Sequence, residues 1–183
     1  AAAGKEFGFK TIGIIRGELT DESNATLSRA KENGMKLVFV SREDYRKRFR
    51  EDLLAGLKKK YSDPYIIPEG GSNLLAVKGC AEILQDIRQD FDFVCCAVGT
   101  GATLAGLSAS LSKKQQAIGF SVLANAEFLN DNADNFIKEF SGKEIPNRKI
   151  IHSYHFGGYA HKTKQLTDFI RQFEMENNIP LEP

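Results

Sequence analysis

The sequence predicts an α/β fold built on mostly parallel sheets, and three observations predict it. Apolar runs such as FDFVCCAV (91–98) and AIGFSV (117–122) lack polar/apolar alternation, the pattern of strands covered on both faces. Segments with the periodicity of amphipathic helices lie between those runs. Capping residues or glycines punctuate the joins, giving a repeating strand–helix order.

The opening AAAGKEFGF reads as the last turns of a helix, with Gly8 as its stop. KTIGIIR (10–16) is a strand rich in Ile. Residues 23–33 form a short helix closed by Gly34, and KLVFV (36–40) is the second strand. Ser41 is placed as an N-cap, with Glu43 and Asp44 in the first turn of a helix running to about Lys60. PYIIP supplies a short strand, 65–67, ended by Pro68. The turn EGGSN (69–73) leads into a helix over 74–89. After the strand 91–98 comes GTGAT, Gly99 to Thr103, and a helix of small residues. The strand 117–122, a helix 130–140, the strand 149–154 and a helix 163–177 complete the series. The polar stretch KKKYSDP (58–64) is the best domain boundary. No opening Met and a trailing IPLEP make a portion of a longer protein the expectation.

The 183 residues carry a net charge of +1, too little to attract nucleic acid or an anionic membrane. The basic run Arg46, Lys47, Arg48, Arg50 is offset by Glu43, Asp44, Glu51 and Asp52, as on a solvated helix face. No apolar stretch approaches the roughly 20 residues of a membrane span. Three cysteines, two of them adjacent, point to a reducing, cytoplasmic setting. Cys95 and Cys96 face opposite sides of a strand and read as small buried hydrophobes. His152, His155 and His161 fit no zinc spacing.

The turn at Gly99 sits where a parallel sheet binds ligands, at the carboxyl end of a strand. Its glycines permit close backbone approach, and the following helix offers unpaired N–H groups and a partial positive charge. Both favour a phosphate, with Thr100 and Thr103 adding hydroxyls. The P-loop pattern fails because Leu107 stands in place of its lysine. The dinucleotide fingerprint fails because Leu104 replaces the third glycine and no carboxylate ends the next strand. A lone monophosphate, as on pyridoxal phosphate, needs neither. A tight βα turn with no ligand is the other alternative.

IIPEGGSNLLAVKGCAEIL (66–84), FDFVCCAVGTGATLAGL (91–107) and FGGYAH (156–161) stand in an order that resembles the family of 1-aminocyclopropane-1-carboxylate (ACC) deaminase and D-cysteine desulfhydrase. The opening segment is similar to the stretch just after that family's Ser-Asn-His motif, so the resemblance covers essentially the whole chain. It implies the tryptophan synthase β-like fold (fold type II), with pyridoxal 5'-phosphate held between two α/β domains. Residues 1–62 would belong to the smaller domain and 63–183 to the larger one. By the same resemblance, the backbone of Gly99, Thr100, Gly101, Ala102 and Thr103 grips the phosphate. Ala102 departs from the Ser or Gly common there. Tyr159 is implied as an active-site phenol, the alternative being that it packs in a loop. Glu69, Ser72 and Asn73 are candidates for the substrate side of the pocket; Ser72 or Asn73 could instead cap the next helix.

The resemblance further implies a lysine anchoring the cofactor upstream of Ala1 and a partner for the pyridine nitrogen beyond Pro183. The expected function is a lyase or deaminase of a small amino acid. D-Cysteine desulfhydrase is preferred, because ACC deaminases tend to differ at PEGGSN. A Rossmann-like nucleotide enzyme and a non-catalytic protein of the same fold are the alternatives. A homodimer is implied.

Overall fold

The structure, a computed structural model, describes residues 1–17, 24–47, 50–158 and 161–181, apart from the Leu53 side chain. It divides into two compact units, Ala1–Ile66 and Ile67–Pro183.

In the first unit, α1 (Ala2–Phe7) ends at Gly8, whose φ of 73° lets its N–H turn back to the Gly4 carbonyl. Strands β1 (Ile12–Arg16) and β2 (Lys36–Val40) pair in parallel, Ile12 beside Lys36 and Arg16 beside Val40. Between them runs α2 (Ala25–Glu32), capped by the Asn24 side chain accepting from Leu27 N–H.

The single helix expected from Ser41 to about Lys60 is two helices. Ser41 caps α3 (Arg42–Arg46) through the Asp44 N–H, and α4 (Glu51–Lys60) starts after an extended Arg50. One continuous helix would stack Arg46 over Arg50, like charges four residues apart. The break instead lets the Arg50 guanidinium fork onto the Asp52 carboxylate at 3.0 and 2.9 Å. The strand expected at 65–67 is not formed among the described residues, and Tyr65 and Ile67 are exposed.

The second unit is a three-stranded parallel sheet in the order β3 (Phe93–Val98), β4 (Gln116–Ser121), β5 (Arg148–Ile151). Register pairs Val98 with Ser121 and Ile118 with Lys149. After the EGG turn, α5 (Leu74–Glu82) runs along α6 (Ala102–Ser110), and α6 packs against α7 (Phe128–Ser141). Ala102, Leu104, Ala105, Gly106, Leu107 and Ser108 are all buried, so α6 is apolar nearly all round. Such a helix must be enclosed, and α6 is the central one. The α7 stripe Leu129, Ala133 and Ile137 is spaced at four residues and buried. With Val98, Leu104, Ala117 and Ile150, Leu129 and Ala133 build the core on one face of the sheet. The last helix, α8 (Lys164–Asn177), starts at Thr163, which accepts from Leu166 N–H.

On the opposite face Phe93, Cys95 and Ala97 are exposed. Covering on both faces, expected from the apolar character of β3, is therefore not seen among the described residues. Nor is Cys95 a buried hydrophobe. Cys96, on the covered side, is half-buried, and burial together with nearby Cys95 and Cys80 pushes its thiol up to about 11. Only a thiolate alkylates quickly. Iodoacetamide at about pH 8 should therefore label Cys95 and spare Cys96, as read by peptide mass spectrometry. Cys96 should label as the pH rises towards 11 or when the chain is unfolded. Equal labelling of both at pH 8 would contradict the placement.

Candidate functional site

The carboxyl end of β3 runs directly into Gly99 and Thr100, and Gly101 (φ 100°, ψ −17°) is the N-cap of α6. Glycine has no side chain to offer as a cap, so the N–H groups of the first turn keep no side-chain acceptor. They add to the positive end of the helix dipole. A Cβ on Gly101 would lie 3.3 Å from the Ala133 nitrogen, so the backbone of α7 closes directly behind the turn.

The loop that precedes α5 meets this turn from the other side. Gly70 and Gly71 both have positive φ (69° and 66°) and fold the chain back. A Cβ on Gly70 would sit 2.8 Å from Thr100 Cγ2, 3.3 Å from Thr100 Oγ1 and 3.4 Å from Ser72 Oγ. Thus Ser72 and Thr100, 28 positions apart in the sequence, have hydroxyls beside the same point. Ser72 Oγ is buried and has no hydrogen-bond partner. Asn73 is used differently: its side-chain oxygen accepts from Ala76 N–H at 2.9 Å and caps α5. Glu69 opens the EGG turn in the same loop.

Beyond β5 the chain turns through Phe156, Gly157 and Gly158, all at positive φ. Gly157 N–H donates to His155 Nδ1, and Gly158 N–H to the His155 carbonyl. A Cβ on Gly158 would lie 3.4 Å from Ala124 Cβ, which places this loop against the connection from β4 to α7. Three successive strand ends therefore carry loops. Tyr159 falls outside the described residues.

Behind the site, α7 and β5 share polar contacts that sequence reasoning missed. Arg148, with its side chain 8% exposed, pairs with Asp134 and donates to the Asn130 carbonyl at 3.2 Å. Asn130 Nδ2 lies 3.3 Å from His152 Nε2. The four-residue spacings of Asn130 with Asp134 and of Arg148 with His152 are visible in the sequence. Nothing in either spacing says that the two pairs meet.

This arrangement can bind one phosphoryl group or a similar oxyanion. Main-chain N–H groups supply the donors, and the glycines leave room for the ligand to approach. Among the described residues no group of three His, Cys, Asp or Glu side chains could hold a metal ion, and no helix is long and apolar enough to cross a membrane.

No protein-family model matches the chain. A Pyrococcus horikoshii protein named "Putative 1-aminocyclopropane-1-carboxylate deaminase" is 28% identical across 99% of this chain and 59% of its own length. An Arabidopsis thaliana protein named "Bifunctional D-cysteine desulfhydrase/1-aminocyclopropane-1-carboxylate deaminase, mitochondrial" is 27% identical across 82% of this chain and 42% of its own. The chain thus spans about three-fifths of the length of the Pyrococcus relative. Among solved structures, an ACC deaminase homologue superposes with a TM-score of 0.77 at 28% identity, covering 99% of this chain and 59% of that one. Serine racemase from Dictyostelium discoideum, at 12% identity and a TM-score of 0.56, covers 97% of this chain and 59% of its own and shares the fold alone. The fold is the type II, tryptophan synthase β-like one that the motifs imply. In sequence along its length and in fold, the chain is similar to proteins named as ACC deaminases and D-cysteine desulfhydrases.

Proposed function

We propose that the full-length protein is a pyridoxal 5'-phosphate-dependent lyase or deaminase of a small amino acid. D-Cysteine is the first substrate, consumed with water to give pyruvate, sulfide and ammonia. ACC, hydrolysed to 2-oxobutyrate and ammonia, is the second. The uncapped first turn of α6 behind Gly101 carries the reading, in a chain with the fold of an ACC deaminase homologue. The names of the Pyrococcus and Arabidopsis relatives support it.

The residues present fit the cofactor's phosphate. The first-turn N–H groups have no side-chain cap, and Ser72 offers a buried hydroxyl without a partner beside the turn. When bound, the cofactor supplies an electron sink for breaking bonds at the amino acid's α-carbon. The chain's own part is binding and orientation. Backbone N–H groups of Gly99 to Thr103 hold the phosphate, with hydroxyls from Thr100 and Thr103. Gly70, lacking a side chain, lets the 69–73 loop approach Thr100. From that loop Glu69 and Ser72 serve the ligand, whereas the Asn73 carboxamide is committed to its cap. Tyr159 moves a proton at the substrate.

Residues 1–62 belong in this reading to the smaller domain and 63–183 to the larger, and the division near Ile66 supports that. Three free cysteines support a cytoplasmic setting, and a homodimer is the assembly.

The test is the visible absorbance of full-length protein incubated with pyridoxal 5'-phosphate, before and after borohydride. A band abolished by borohydride is expected; a well-folded protein without one would end the proposal. Sulfide released from D-cysteine, compared with 2-oxobutyrate from ACC, ranks the substrates.

A further inference from the structure

Ser72 differs from the two buried serines. Ser108 donates to the Leu104 carbonyl and Ser121 to that of Leu123. Among the described residues, Ser72 is the one serine with a buried hydroxyl and no partner. A hydroxyl removed from water and left unbonded weakens the folded state. Capping does not explain it, because Asn73 next door supplies the cap of α5. Packing does not explain it either, because alanine would give up only one small atom and avoid the penalty. Groups of this kind persist where a ligand, an ion or a water completes them.

The location names the ligand's chemistry. Two consecutive glycines at positive φ return the chain so that Ser72 Oγ and Thr100 Oγ1 lie within 3.4 Å of one point above Gly70. Thr100 belongs to the turn that opens α6, whose first N–H groups have no side-chain cap. We infer that Ser72 is a phosphate-binding residue: its O–H donates to a phosphoryl oxygen held at the Gly99 turn, beside the Thr100 hydroxyl. Ser72 is thereby assigned to the phosphate rather than to the substrate carboxylate. This assignment rests on the cofactor reading and adds a donor from a loop one helix and one strand upstream.

Opposite signs in two measurements test it. In full-length Ser72→Ala the ligand-free melting temperature should equal or exceed that of wild type, because a buried unpaired hydroxyl has gone. Binding of inorganic phosphate and of pyridoxal 5'-phosphate should weaken about tenfold, the loss of one hydrogen bond to a charged group. Asn73→Ala should do the reverse, melting lower through its lost cap while binding phosphate like wild type. Unchanged phosphate and coenzyme affinity in Ser72→Ala overturns the inference, even if the KM for the amino acid rises, since the carboxylate is then the partner. A lower ligand-free melting temperature in Ser72→Ala also overturns it. Wild type that binds phosphate but not the coenzyme defeats the cofactor reading and leaves Ser72 to be judged on phosphate. Wild type that binds neither defeats both.

Discussion

Gly106→Val will destabilise the second unit by about 3 kcal/mol or more, measured by urea denaturation. A Cβ at Gly106 would lie 2.5 Å from Cys80 Cβ, 2.5 Å from the Val77 carbonyl oxygen and 2.9 Å from the Ala81 nitrogen. Two of those three atoms are backbone of α5 and cannot rotate away. On an open helix the change to alanine would help, by about 1 kcal/mol of helix propensity. Here even alanine overlaps α5, so the sign reverses, and the branched valine adds further atoms. With total stabilities of about 5–15 kcal/mol, such a loss removes a large share of the folded state. The consequence reaches the site. The 69–73 loop precedes α5 and the Gly99 turn precedes α6. Helices forced apart at Gly106 separate Ser72 from Thr100, and phosphate affinity should fall with stability. A wild-type urea midpoint would show that α5 moves away at no cost.

Gly106 also marks the boundary between what is legible in the sequence and what is not. The order of elements is legible because each local signal agrees with the fold. Ser41 and Thr163 cap the helices that they precede, Gly8 and Gly34 have the positive φ of stops, and β2 occupies 36–40 as expected. Expectation and structure part where a contact beyond the local pattern decides. A strand at 65–67 needs a neighbour to bond with, and the sequence carries no sign that none meets it among the described residues. Helix 41–60 is broken because Arg50 finds Asp52, a two-residue contact that competes with helical continuation. Helix 74–89 ends at Glu82 as α-helix and tightens into a 3₁₀ turn over Ile83–Asp86. The glycine turn is legible as an anion site from its residue types alone. That Gly70 lies against Thr100, and that Asn73 rather than Ser72 caps α5, depends on how α5 seats on α6. A pattern of small residues permits that seating without specifying it.

Gly101→Ala should cost about 2 kcal/mol of stability and weaken phosphate binding by at least tenfold. Two independent constraints act on this residue. Its φ of 100° is one that a residue with a Cβ rarely adopts. The added methyl would also press on Ala133, 3.3 Å from its nitrogen and 3.5 Å from its Cα. Relief requires the turn to rotate or α7 to retreat. The first re-aims the N–H groups at the start of α6, and the second disturbs the buried contacts of Leu129 and Ala133. Gly99→Ala is the informative contrast. Gly99 is outside the positive-φ set, and its Cβ would meet only Val122 Cγ2 at an ordinary 3.7 Å. Its melting temperature should stay near wild type while that of Gly101→Ala falls. If Gly101→Ala keeps both its stability and its phosphate affinity, the N–H groups of this turn do not hold the anion. The binding site must then be sought at another strand end of the same sheet.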